Sequence, residues 1–334
     1  MRFGHKYVVE KTIFSYIRSP IELIYCKTMV NRVLIRLKVV QAVYAYCQGG
    51  SENAKSAARE LSLSLSSSLE LYHILLYLLA EVGRYAKATV SRKSRFSPET
   101  LHATEKRFSQ NAFLEQLSEN VQLASYMESE EKDWITDSGI VKALYVAVLE
   151  SDVLSDYMTE EKYDYASDKD LVRKLYKSVF AENAQLEEIL ENQNIYWSSD
   201  RELTDSFIIK TIKNFRQENG AQQQLLGQFG DPEDEAFASS LLKASLEGQS
   251  EYRAMISLHT RGWDASRLAL MDVIVMQVAL AEILCIPDVP VKVSINEYVE
   301  MAKSFGTQGS GGFVNGVLDT LVHELRENGR LTKN

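Results

Sequence analysis

PVKVSINEYVEMAKSFG, residues 290–306, reads as a single short helix with both ends marked. Pro290 brakes the chain ahead of it. Ser294 and Glu297 have the Ser-x-x-Glu spacing of a capping box, in which two side chains satisfy backbone N–H groups at a helix start. Ile295, Tyr298, Val299 and Ala302 recur at i, i+3, i+4 and i+7, which makes one apolar face, while Asn296, Glu300 and Lys303 face away. Gly306 suits the left-handed conformation that stops a helix. The expected span is therefore Ile295 to Phe305. Downstream, Phe313, Val317, Leu321 and Leu325 form a second stripe, with Gly316 expected to permit close helix approach.

The same periodicity extends upstream. In SRLALMDVIVMQVALAEIL (about 265–284), expected to be capped by Asp264, only Asp272, Gln277 and Glu282 are not apolar from Leu268 to Leu284. Those three point in different directions around the axis, so no polar face exists. Such a helix belongs in a core, and its ionisable residues must reach partners or edges. DPEDEAFASSLLKASLEG (231–248) opens with a capping Asp231, with Pro232 at the first helical position, and with acids that favour the positive helix end. Further helices are expected at 31–47, 52–90, 109–135, 139–150, 170–193 and 206–217. A Ser/Arg/Lys-rich loop is expected at 91–98, and a solvated acidic boundary at 150–170. With only five prolines and sixteen glycines in 334 residues, the chain reads as all-α. The expected organisation is an extension at 1–28, set off by a second methionine (Met29) and readable as a misplaced start. An N-terminal helical subdomain (29–165) and a C-terminal bundle (166–334) follow.

Motifs for catalysis are absent. The three cysteines (Cys26, Cys47, Cys285) make neither a disulfide framework nor a CxxC pair, which fits a reducing cytoplasm. Five histidines give no metal-ligand spacing, and there is no P-loop or GxSxG. No metal, no cofactor and no enzyme activity are expected. No stretch of eighteen uninterrupted apolar residues suggests a membrane span, and no signal peptide is read at the start.

The net charge of −9 hides an asymmetry: residues 1–46 carry eight Lys/Arg against two acids. A basic end can bind phosphates even on an acidic body. Within NRVLIRLKVVQAVYAYC (31–47), Arg32, Arg36 and Lys38 are candidate contacts for an RNA backbone, and Tyr44 or Tyr46 could stack on bases. The alternative is solvated charge beside ordinary core aromatics.

The order AEIL, IPDVPVKVSINEYVEMAKSFG, a short loop and FVNGVLDTL resembles the NusB family of transcription antitermination factors, over roughly 265–325. RVLIRLKVVQAVYAY (32–46) is similar to that family's first helix, residues 170–193 match more loosely, and most of 50–165 has no counterpart. The resemblance implies two packed helical bundles with additional helices inserted in the N-terminal half, and no catalysis. It further implies binding to boxA-type RNA in ribosomal RNA leaders, together with the small-subunit ribosomal protein NusE, within an RNA polymerase antitermination complex. By matching position it puts Arg32 and Arg36 on the helix that faces RNA. Ser310 and Phe313 fall at the RNA-bordering start of the last helix, and Asp272 near the NusE contact. TQGSGG (307–312) stands where the family usually has acidic and His residues, so RNA preference or partner dependence is expected to differ. Two rival readings are a protein-only scaffold and the helical module of an RNA methyltransferase.

Overall fold

Helix α1, Arg32–Gln48, is apolar almost all round: every residue from Leu34 to Val40 is buried, as are Ala42 and Val43. A helix of that kind needs cover on several sides. In the computed structural model, which describes residues 28–333 apart from 31, 50–52, 129–133, 136–137, 230–231 and 261–268, the cover comes from the far end of the chain. The fold is all-α. The helices after α1 are α2 (Ala54–Phe96), α3 (Ala103–Ser109), α4 (Ala112–Ser118), α5 (Val121–Glu128), α6 (Ile140–Leu149) and α7 (Asp152–Tyr157). They continue with α8 (Tyr165–Leu175), α9 (Ala184–Gln193), α10 (Trp197–Asn214), α11 (Pro232–Glu247), α12 (Gln249–His259), α13 (Leu270–Cys285), α14 (Val291–Phe305) and α15 (Ser310–Glu327).

The chain forms two compact units. One contains residues up to Ser66 and from Gly227 onward; the other is Ser67–Leu226. This division differs from the 165/166 boundary read from sequence, because α1 packs on α11 and α13. The extension at 1–28 lies outside the described residues up to position 27.

In the first unit, a short parallel strand pair joins Thr28–Val30 to Gly227–Phe229, with Val30 opposite Phe229. The next described helices are α1 after the first strand and α11 after the second, and these two pack on each other. α13 then packs on α14, and α14 on α15.

The second unit departs from the sequence reading in three places. The expected 91–98 loop is helical to Phe96: α2 runs on for 43 residues and stops at Ser97-Pro98, where proline cannot continue it. It is the one described helix long and apolar enough to cross a membrane, and 72% of its most apolar stretch is buried inside the protein. The acidic 150–170 region is solvated over 159–164, as expected, but it lies inside one unit and is no boundary. It contains α7 and the start of α8, and Asp168 is buried, accepting bonds from Arg107, from the Tyr157 hydroxyl and from the Ala112 backbone N–H at 2.7 Å. The expected 170–193 helix is interrupted by a π-turn at Tyr176–Phe180. It restarts at α9, where the Asn183 side chain accepts the Leu186 N–H at 2.8 Å.

Candidate nucleic-acid interface

α13 carries the polar residues that organise the first unit. Glu282 is fully buried (0% exposed), yet its carboxylate has four donors. Arg36 from α1 grips it with Nε at 2.8 Å and Nη2 at 2.9 Å; Ser294 Oγ donates at 2.8 Å and the Tyr298 hydroxyl at 2.9 Å, both from α14. Burial alone would lower the Arg36 pKa, but the hydrogen bond and charge of Glu282 outweigh it and raise the group above its usual value. At the same end of α13, Lys333 Nζ donates to the Glu282 and Ile286 carbonyls at 3.1 and 2.6 Å, placing a cation at the negative end of the helix.

This geometry corrects the local reading of the opening segment. α14 begins at Val291 with Pro290 before it, so Ser294 lies inside the helix and makes no capping box. Its hydroxyl serves Glu282 instead. Gly306 is not left-handed: its φ is −89° and its ψ −174°. What it supplies is room, since a Cβ there would lie 2.3 Å from Ser310 Oγ and 2.5 Å from the Ala302 carbonyl. The left-handed glycine is Gly309, with φ of 99° just before α15. Gly316 faces open space and brings no helix closer.

At the other end of α13, about 15 Å from Glu282 at 1.5 Å per residue, Asp272 is buried and accepts from Ser310 Oγ at 2.9 Å. Ser310 Oγ also accepts the Thr307 N–H at 2.8 Å, so one hydroxyl ties the 307–310 turn to the core helix. The second carboxylate oxygen of Asp272 has no partner among the described residues. Burial raises the Asp272 carboxyl above its usual range, and the Ser310 hydrogen bond only partly offsets this. Asp264, read as the cap of α13, lies outside the described residues, and the helix starts at Leu270.

The sequence-derived contacts therefore separate. Arg36 and Lys38, at 3% and 1% exposed, are not open to a phosphate in this fold, because α1 is covered all round from Leu34 to Val40. Ser310 is buried as well. Arg32, Tyr44 and Phe313 are half-exposed. Arg32 is matched by acids: its Nε meets Asp234 at 3.3 Å, Glu233 lies at 4.0 Å, and its guanidinium sits 5.1 Å from the Phe237 ring centre. Tyr44 accepts from Gln48 at 3.2 Å. Arg36 shares the Phe237 ring at 5.4 Å. Sequence reasoning missed Phe237 and Asp234, and their signal was slight: an aromatic and an acid among ordinary helix residues. Glu282 was more visible, as an acid in an otherwise apolar helix.

A family model described as the NusB family matches residues 203–323, a range that runs from within α10 to within α15 and leaves α1 outside. Similar proteins include the Transcription antitermination protein NusB of Salinibacter ruber, 34% identical over 132 residues, which covers 38% of this chain and 82% of that protein. That of Desulforapulum autotrophicum is 35% identical over 129 residues, or 36% and 90% of the two chains. That of Chloroherpeton thalassium is 37% identical over 97 residues, or 29% and 46%. No solved structure matches.

Proposed function

The chain belongs to the NusB family, and from that premise we propose that it is a transcription antitermination factor that works by binding RNA. The finer reading is that its RNA is a boxA-type element of ribosomal RNA leaders, bound jointly with NusE as part of an RNA polymerase antitermination complex. The single observation that carries the reading is the similarity to antitermination proteins over 82–90% of their length. The geometry adds a division of labour. Arg32, Tyr44 and Phe313 have exposed surface and are the proposed contacts; Arg36, Lys38 and Ser310 position them from inside. Asp272, through Ser310, holds the turn before α15, and we assign it a positioning role toward NusE. The reading assigns no catalytic step to any residue.

Gel shifts with a boxA-containing RNA, with and without NusE and at two salt concentrations, test this. Binding is expected at low salt and tighter with NusE, and Arg32→Ala should lower the salt slope by about 0.7, one single-strand phosphate contact. A slope unchanged by Arg32→Ala removes that residue from the interface. A second reading, an adaptor that contacts proteins alone, is favoured by one feature. A groove of about 610 Å³ lies between the first turns of α2 and the length of α11, floored by Leu61, Leu65, Leu242 and Leu246. NusE binding without any RNA binding would select it.

A further inference from the structure

The end of α2 carries cations without a partner among the described residues. Residues 84–107, within the second unit, contain seven Lys/Arg and two acids in a chain whose net charge is −9. Several of these cations have structural work: Arg84 is paired with Glu81, Lys87 Nζ meets Glu115 at 2.6 Å, and Arg107 is bound by Asp168 and stacked 4.3 Å from the Tyr163 ring centre. Lys93 reaches the Thr100 carbonyl at 3.4 Å and Glu105 at 2.8 Å. Arg92, Arg95 and Lys106 differ. All three are exposed, and among the described residues their side chains make no hydrogen bond, ion pair or ring contact.

Basic residues in a last turn favour the negative helix end, and that explains Lys93, whose amine reaches past the turn. It does not explain Phe96, which is 80% exposed at the helix terminus. A single exposed apolar side chain is ordinary by itself; here the ring shares its helix face with two guanidiniums that have no partner among the described residues. Arg92, Arg95 and Phe96 stand at i, i+3 and i+4, so they share one face. The Lys93–Glu105 bond draws the first turn of α3, and with it Lys106, to the same end of α2.

We propose that Arg92, Arg95, Phe96 and Lys106 form a second contact surface for single-stranded RNA, on the inserted unit. Two guanidiniums supply forked donors to phosphates, and an exposed ring beside them supplies a stacking platform for a base. A lipid surface would need a broad apolar helix face beside the cations, and here there is one aromatic. The inference rests on the reading that RNA is this protein's ligand; what it adds is that the insertion lengthens the RNA footprint beyond the first unit.

The test uses the full chain and fluorescence anisotropy with a labelled oligouridylate of about 30 nucleotides, longer than one typical single-strand site, across a salt series. Arg92→Ala with Arg95→Ala should cut affinity about tenfold at low salt and lower the salt slope by about 1.4, two phosphate contacts. Phe96→Ala should cut affinity about tenfold and leave the slope unchanged, since stacking releases no counterions. Arg92→Lys with Arg95→Lys should keep the wild-type slope. Arg84→Ala, which removes a cation that is already paired, should bind as wild type; an equal loss there makes the effect one of bulk charge and overturns the proposal. If wild type binds and the variant combining Arg92→Ala, Arg95→Ala and Phe96→Ala binds identically, this surface is refuted while the functional reading stands. No binding of this RNA by wild type overturns the proposal, while the functional reading is decided separately by the boxA gel shift. Unchanged RNA binding with lost binding to phosphatidylserine-containing vesicles would reassign the face to lipid and overturn the proposal.

Discussion

Replacing Arg36 separates the two roles that its sequence position allows. In the fold its guanidinium makes the paired contact to Glu282, at 2.8 and 2.9 Å, with both groups sealed from water. Arg36→Ala leaves Glu282 with two hydroxyl donors and no counter-charge, in a place where its carboxylate cannot be hydrated. Breaking one side of a buried pair costs about 3–5 kcal/mol. With a urea slope of about 3 kcal/mol per M, the unfolding midpoint should fall by between about 1 and about 1.7 M. Arg36→Lys keeps the charge and loses the fork, so it should recover part of the loss and sit about 1–2 kcal/mol below wild type. Arg32→Ala is the control. Its ion pair is partly solvated, with the arginine side chain 36% exposed, and should cost less than about 1 kcal/mol. The assay is urea unfolding followed by far-ultraviolet circular dichroism, with the RNA salt slope measured on the same samples below the transition. An Arg36→Ala protein that unfolds at the wild-type midpoint but has a shallower RNA salt slope would refute the structural assignment and return Arg36 to the RNA surface.

Three further outcomes follow from the same helices. Tyr298→Phe removes one of Glu282's hydroxyl donors and should destabilise by about 1.5–3 kcal/mol in the same urea assay, as for a hydrogen bond to a charged group. Gly306→Ala and Gly316→Ala should act in opposite directions. The first drives a Cβ into Ser310 and the Ala302 carbonyl at a cost of about 1–3 kcal/mol; the second places a methyl in open space on a helix and should stabilise by about 0.5–1 kcal/mol. Equal signs in thermal melts would refute the packing argument. For Asp272, burial raises the folded pKa above the unfolded value of about 4. The stability it contributes is complete below the unfolded pKa and is lost as pH rises through the folded one. Wild type should therefore gain on Asp272→Asn as pH falls from about 7 to about 4, and a difference independent of pH would remove Asp272 as the titrating group.

The periodicities that announced helices worked wherever a helix had a continuous apolar stripe. α13 and α15 were legible because their stripes are long, and Glu282 stood out against a run of apolar neighbours. Boundaries failed where a side chain had two plausible employers. Ser294 with Glu297 has the spacing of a cap, and a serine hydroxyl is a good cap, but the fold gives it a buried carboxylate twelve residues upstream. Spacing along the chain cannot report an acceptor on another helix. The same limit misplaced Asp168, an acid in an acidic run, whose partners Arg107 and Tyr157 lie on other helices. It also let basic 91–98 read as a loop when Pro98, not charge, decides where α2 stops.

Arg36 and Arg92 make the case for reading charge only with its neighbours. In sequence, Arg36 sits in a basic end on a helix that resembles an RNA-facing one, and Arg92 sits in a stretch without a counterpart in the family. In the fold Arg36 is spent on Glu282, and Arg92 is among the arginines left without a partner among the described residues. A charge held by a buried carboxylate at 2.8 Å cannot also neutralise a phosphate without breaking that bond, at a cost of about 3–5 kcal/mol. An exposed, unpaired guanidinium carries no such cost. Where RNA is the ligand, electrostatic binding therefore belongs to cations such as Arg92 and Arg95 before it belongs to Arg36, whatever their order in the chain.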